Sequence, residues 1–449
     1  MRNGHTRKPD AGAGSDGVSV PKSRTNLVCL HGAPAEVGRQ WGTCNRKAIQ
    51  NDVDRYFLRK ATEAGISEEV LVKRSEAFVE ISERIAPHWL GEFRETARAA
   101  GVCEDLYVSF VANVYRDLFL HDECTSYAVS PEHTAGNALL FHKTRDNADK
   151  TQSAFILESS LPGVNKFIGV TDASVLGCSM MVNDKGLACS ADTGGLKVET
   201  PRFRGLMNMF MKRHVAERAS DCAEALEIIE EFVRKGEYAG GHKTGSHWLF
   251  VDRKGVILEI SHNSTEMHHV YHKEDVYFSV RGDTAAAERL RAADHPVDFS
   301  LFHGVSRDPS ICFDSSIAGM TVEIDPDQPD LGTCAWITLP AHSGAVPLLM
   351  AGRGTPLPLL NGDAYRAARE QRVSREVWER IERSVHQSKT LFCGNMAASS
   401  GTGNDSEDWH SRADEWVENQ SEMMMSVFRM SGLKCEDKAE TEEPEWKVW

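Results

Sequence analysis

Hydrophobic and polar positions change their rhythm three times along the chain. Residues 1–25 are rich in Gly, Ser, Asp, Lys and Arg, have almost nothing to bury, and read as a disordered tail. A short strand-like run, LVCL, begins just after Asn26 and leads into HGAPAEVGRQWG (His31–Gly42), where a helix starts near Ala35. From Ser67 to Ala100 the period is helical. Leu71, Phe78, Ile81 and Ile85 share a face, Ser67 is placed to cap, and Glu68 and Glu69 suit the positive end of the dipole. Pro87 divides this stretch into two helices. A further apolar segment, Asp105–Asp117, runs towards Cys124.

From Glu123 the rhythm becomes that of strands. Glu123–Asp146 reads as two strands joined at Gly136-Asn137, residues tolerant of positive φ, with Cys124 at the head of the first strand. The return strand brings Asp146 back near Cys124. Ser153–Glu158 and Lys166–Thr171 are β-prone. Two hairpin units follow, Cys178–Val182 with Leu187–Ala191 around Asn-Asp-Lys-Gly, and Trp248–Val251 with Val256–Ile260 around Asp-Arg-Lys-Gly. Between them lie helices over Phe203–Arg218 and Asp221–Val233, the second capped by Asp221 with Glu224 three residues on.

Later, residues 284–292 read as helix, and Met320–Ile324 and Thr333–Leu339 as strands. Pro340–Pro358 reads as an extended loop, Tyr365–Val385 as a charged helix, residues 395–408 as a linker and Ala413–Met430 as a last helix. The end from Glu436 is acidic and loose. Strands with helices between them describe an α+β chain in which sheets carry a helical layer.

Composition narrows the function. The chain has 449 residues, 41% of them hydrophobic and 26% charged, which is enough for a large core. A formal charge of −15 without a basic stripe argues against nucleic acid as partner. No apolar run approaches a membrane span. The eleven cysteines are irregularly spaced, with no CxxC, which suits reduced thiols better than a disulfide framework or zinc site. With no apolar signal region visible, the expected location is cytoplasmic. His268, His269 and His272 lack metal-ligand spacing, and no metal or cofactor is expected.

A free cysteine is usually a small buried hydrophobe. Ordered pieces around Cys124 give it another meaning. HGAPAEVGRQWG, DECTSYAV, LLFHKTRD, MMVNDKGLACSAD and HWLFVDRKGVILEIS together resemble, in order over about residues 27–350, the penicillin acyltransferase-like family of N-terminal nucleophile hydrolases. That resemblance implies an αββα sandwich, here with an α-helical N-terminal segment and a C-terminal helical extension. It also implies self-cleavage between Glu123 and Cys124. The product would be an α/β heterodimer from one precursor, with residues 26–123 as one chain, the core over 124–390, and linker, helix and tail over 391–449. Cys124 maps to the family's nucleophile and Asp146 to its carboxylate. The family's partner is a small-molecule amide.

The chemistry explains the requirement for scission. A thiolate, not a thiol, attacks. A free α-amino group titrates near ~7.7–8.0 and a thiol near ~8.5, so an amino-terminal cysteine carries a matched base of its own. Thr125 and Ser126 are candidate hydrogen-bond donors. Asp192 stands where the family has Asn and is a candidate seat for a substrate ammonium. Arg281 lies where an oxyanion-hole Asn is expected, and Phe313 follows Cys312 where the family has Arg. The readings are hydrolysis of a linear amide through a thioester at Cys124, acyl transfer on that thioester, a dipeptidase, or an unprocessed binding protein.

Overall fold

The computed structural model describes residues 27–113, 123–146, 151–197, 204–239, 244–273, 275–279, 281–353, 363–364, 367, 373–400 and 406–433. The tail at 1–25, the end from Glu436 and parts of the Phe203–Arg218, Pro340–Pro358 and Tyr365–Val385 expectations fall outside them.

Among these residues fourteen strands form two sheets. The larger has the order β1 (Leu27–Gly32), β4 (Gln152–Ser159), β5 (Phe167–Asp172), β6 (Met180–Asn183), β7 (Ala188–Lys197), β8 (Thr244–Val251), β9 (Ile257–His262) and β10 (Met267–His272). The smaller runs β11 (Val276–Phe278), β2 (Glu123–Val129), β3 (Leu139–Asp146), β12 (Ser316–Ile324), β13 (Cys334–Thr338) and β14 (Val346–Leu349). All pairings are antiparallel except β1 with β4.

Strand alternation builds the layers. Ala154, Ile156, Ile168, Val170 and Met180 of the larger sheet share one core with Phe141, Met320 and Val322 of the smaller. Their neighbours Phe155, Leu157, Phe167, Met181 and Trp248 point the other way, into a second core with Trp41, Trp89 and Phe93 of the amino-terminal helices and Phe210 and Ile229 of the later pair. Trp378, Trp416 and Phe428 of the carboxy-terminal helices Arg375–Ser400 and Ser406–Met430 join the first core from beyond the smaller sheet. The order is therefore helix, sheet, sheet, helix. Trp41 and Trp89 are fully buried, and truncating either to Ala would cost about 3–5 kcal/mol.

The glycines of HGAPAEVGRQWG have a packing reason. In the Pro34–Cys44 helix, a Cβ on Gly38 would meet the Glu92 backbone oxygen at 2.2 Å, and one on Gly42 the Thr96 oxygen at 2.4 Å. The helix lies backbone to backbone against His88–Ala100, and a side chain at either position would separate them. Ser67 accepts from Val70 N, Asp221 from Ala223 N and Glu224 N, and Gly186 and Gly255 both take φ of 77°, as their turns require.

Some expectations shift. Residues 395–400 continue the Arg375–Ser400 helix instead of forming a linker, because Met396, Ala397 and Ala398 favour helix and Met396 is buried. Pro347 lies in a strand, tolerated because β14 is the sheet edge. The β2–β3 connection spans residues 130–138, with Gly136 and Asn137 left-handed at φ of 68° and 55°. The Asn208–Arg218 helix starts five residues later than expected.

Candidate active site

Register decides which side chains meet at Cys124. Cys124 lies opposite Arg145 and Ser126 opposite Lys143, and directly opposed residues share a face. These four point between the sheets. Thr125, Thr144 and Asp146 belong to the opposite face.

Two cations bridge from this face to the other sheet. Lys143 Nζ donates to the Ala191 carbonyl (2.9 Å), is paired with the Asp192 carboxylate of β7, and is hydrogen-bonded to the Cys124 side chain. Arg145 Nη1 donates to Asp172 Oδ1 (2.8 Å) and Gln152 Oε1 (2.9 Å), on β5 and β4. Buried Cys124 thus lies between Lys143, paired with Asp192 of the facing sheet, and Arg145, bonded to Asp172, whose carboxyl is pushed well above the usual range by burial and then by the charge of Asp52.

Asp192 is the hub of the first arm. Ser126 Oγ donates to its Oδ1 (3.1 Å), Ser279 Oγ to its Oδ2, and Ser190 Oγ to Ser126 Oγ (2.6 Å). Ser279 Oγ also accepts from Ser126 N (3.1 Å), so β2 is anchored at this point. Burial opposes ionisation of Asp192, yet the Lys143 charge and the hydrogen bonds from Lys143 and Ser279 hold its carboxyl below the usual range. Burial likewise opposes the Lys143 charge, and Asp192 followed by Cys124 raises it above the ordinary lysine value. Both shifts describe one ion pair. The carboxylate expected to seat a substrate ammonium holds an ammonium of the protein's own.

Asp146 lies opposite Glu123 in the register, beside the bond expected to break but on the face away from the sulfur. Its Oδ1 accepts from Ser316 Oγ, and its Oδ2 is 3.7 Å from Arg281 Nη1. Arg281, at φ of 59°, places its guanidinium 4.3 Å from the ring centroid of half-exposed Phe313. Asp146, Arg281 and Phe313 therefore form a cluster at the outer end of the strands. Thr125 faces this side, and its buried hydroxyl has no hydrogen-bond partner among the described residues.

Of the expected residues, Cys124, Ser126 and Asp192 share one network and Asp146 and Arg281 share another. Lys143, Arg145, Ser190 and Ser279 were not expected. The available signal was the two-residue spacing of Lys143 and Arg145, which puts both cations on one face of a strand. A cleft of about 650 Å³ bounded by Glu132, His133, Asp275 and His295 lies beyond the opposite end of β2 and takes no part in this site. Among the described residues, no group of three or more His, Cys, Asp or Glu is placed to hold a metal, and His272 on edge strand β10 contacts Glu259 at 2.7 Å. Nor is any helix among them long and apolar enough to cross a membrane.

A family model, Acyl-coenzyme A:6-aminopenicillanic acid acyl-transferase, matches residues 133–280, about a third of the chain. The match begins downstream of Cys124 and takes in Lys143, Arg145, Asp146, Asp192 and Ser279. No curated protein matches. Similar solved structures include a Caenorhabditis elegans ortholog of N-acylethanolamine-hydrolyzing acid amidase (13% identity, TM-score 0.34, covering 46% of this chain and 94% of that one). Penicillin V acylase from Agrobacterium tumefaciens is similar at 13% identity and TM-score 0.35, covering 51% of this chain and 86% of that one. A variant of conjugated bile acid hydrolase from Clostridium perfringens gives 11% identity and TM-score 0.32, covering 51% and 92%.

Proposed function

With the acyl-coenzyme A:6-aminopenicillanic acid acyl-transferase pattern over residues 133–280 as premise, we propose that this protein is an amidohydrolase of the N-terminal nucleophile type that frees its own Cys124. The observation that carries the reading is the Lys143 ammonium hydrogen-bonded to the Cys124 side chain and held there by Asp192. An ammonium beside a cysteine favours the charged, nucleophilic form of the sulfur.

In the precursor, the Cys124 sulfur attacks the carbonyl carbon of Glu123. The Glu123–Cys124 amide bond breaks, the nitrogen takes a proton, and a thioester joins Glu123 to the sulfur. Water hydrolyses that thioester, leaving a carboxylate on Glu123 and a free amine and thiol on Cys124. In the mature protein the amine accepts the thiol proton and the thiolate attacks a substrate amide carbon. The proton passes to the departing amine, and water then releases the acid from the thioester. Replacement of that water by a second amine gives acyl transfer.

Lys143 stabilises negative charge at the sulfur, while Asp192, Ser126 and Ser279 fix the position of Lys143. Asp146 anchors the strand end beside the new amino terminus and, with Arg281, forms the outer rim where substrate enters. Engagement of Asp192 by Lys143 leaves the dipeptidase variant without its seat for a substrate ammonium, which favours N-acyl amines. The mature protein is an α/β heterodimer in the cytoplasm, its substrate a small amide.

The test is a denaturing gel with intact-mass measurement. Fragments 1–123 and 124–449 are expected from wild type, and an uncut chain from Cys124→Ala. A panel of N-acyl amines and dipeptides, assayed for released amine, then defines the substrate. An intact wild-type chain in a preparation that turns over amides would refute the mechanism, and an intact chain with no turnover would leave the binding-protein reading.

A further inference from the structure

The Asn208–Arg218 helix carries two adjacent buried cations, Lys212 and Arg213. Arg213 is paired with Glu92 and Glu217. Lys212 is paired with no carboxylate among the described residues. Its Nζ donates to the Ser179 carbonyl (2.8 Å) and lies 5.8 Å from the ring centroid of Trp248. A buried ammonium with only a carbonyl and a ring face as partners is destabilising, because its hydration is lost without an opposite charge in return. Groups held in that state concentrate at functional sites.

The location of Lys212 is specific. Ser179 ends the buried turn over residues 173–179, which leaves Asp172, the partner of Arg145, and enters β6, where Met180 lies opposite Ser190. The carbonyl that Lys212 holds is therefore placed between the two arms of the Cys124 site. The groups acting on Lys212 are Lys143 and Cys124 from the smaller sheet, Cys189 from β7 and Cys178 from the turn, with Arg213 beside it on its own helix.

Lys143 is paired with Asp192, and Arg145 is hydrogen-bonded to Asp172, on which Asp52 also acts. Lys212 is the one of these three cations with no carboxylate partner among the described residues. We propose that Lys212 is a positioning residue for Cys124, a buried ammonium without a carboxylate partner that acts through the local field and the Ser179 carbonyl to favour negative charge on the sulfur. The inference rests on Cys124 being the nucleophile. Burial first, and then the Lys143 charge, bring Lys212 down to about 8, so it carries its charge at neutral pH and loses it just above.

The test is the alkylation rate of Cys124 by iodoacetamide in the full chain, followed peptide by peptide by mass spectrometry from neutral to alkaline pH. Wild type, Lys212→Met and Lys212→Arg are compared, with exposed Cys44 and Cys103 as internal references. Lys212→Met is expected to slow Cys124 labelling about tenfold at neutral pH. The gap should close as pH rises through about 8, where wild-type Lys212 is also neutral. Lys212→Arg should keep the wild-type rate and hold it through that window, and Lys212→Met should melt no lower than wild type. Equal labelling at neutral pH, or a gap that does not change with pH, overturns the inference and leaves the Cys124 reading standing. Should Lys212→Met not fold, the divergence of Lys212→Arg from wild type above pH 8 decides. Absence of Cys124 labelling in wild type at any pH overturns both readings.

Discussion

Two buried charge networks meet on one helix and are closed differently. On the side of the amino-terminal helices, Arg213 Nε donates to Glu217 Oε1 (2.8 Å), its Nη2 meets Glu92, and its Nη1 donates to the Leu176 carbonyl (3.0 Å). Trp89 Nε1 and His88 Nε2 reach Glu217 at 3.0 and 3.1 Å. Burial opposes the Glu217 charge, but Arg213 and His88 hold its carboxyl down to about 2. The donors and acceptors here match one another, with two carboxylates around Arg213. On the side of Cys124, Lys143 is paired with Asp192 and Arg145 with Asp172, and Lys212 has no carboxylate partner among the described residues. The first network holds the helices to the sheet. An ammonium left without a carboxylate is an electrostatic bias that a reaction could use.

Breaking each network should therefore give a different loss. The largest effect belongs to Cys124→Ala. Turnover is expected to fall by at least ~10⁴-fold, with the chain uncut and the melting temperature within the range of an ordinary mild substitution. Next is Lys143→Met, which leaves Asp192 buried without its cation. Amine release should fall ~10²–10³-fold and stability by several kcal/mol in urea unfolding. Adding Asp192→Asn to it should restore stability but not rate, and recovery of both would make Lys143 a purely structural residue.

Arg213→Met tests the other network. It leaves Glu92 and Glu217 buried together, and urea unfolding should show a loss of about 3–5 kcal/mol. The turnover number per folded molecule should remain near that of wild type, and a selective loss of rate would join the two networks into one. The smallest effect concerns His214, on the same helix and in edge contact with Trp89 and Phe232. Burial lowers it from 6.5 to about 4. The unfolded chain binds this proton first, so the contribution of His214 to stability is complete above 6.5 and is lost as pH falls towards 4. His214→Phe should flatten the stability-versus-pH curve in that window, by about 3 kcal/mol over its full width.

Local chemistry was legible in the sequence. The caps at Ser67 and Asp221 and the left-handed glycines of the two four-residue turns depend on a few neighbouring residues, and they stand where expected. Gly38 and Gly42 stand in the HGAPAEVGRQWG segment, but their close approach to the Glu92 and Thr96 backbone is a tertiary contact that the segment does not reveal. Cys124 at a strand head was visible as well. The cations around it were not, because their role depends on which face meets the second sheet, and Asp192 and Asp172 come from strands distant in the chain. Asp146 was placed beside Cys124, but strand parity turns its carboxylate to the other side. Residues 395–400 misled through their small polar neighbours, since the burial of Met396 that draws them into helix is a tertiary contact.

Strand β1 lies at the edge of the larger sheet, and its register with β4 runs from Leu27 against Ala154 to Gly32 against Ser159. Scission ahead of Cys124 would therefore yield two polypeptides that share a single pleated ladder. Neither could leave without unzipping that seam and baring a row of amides to neighbouring molecules. The cut would give the assembly a new terminus while leaving it one cooperative body, and the shorter piece would serve as permanent scaffolding for the longer.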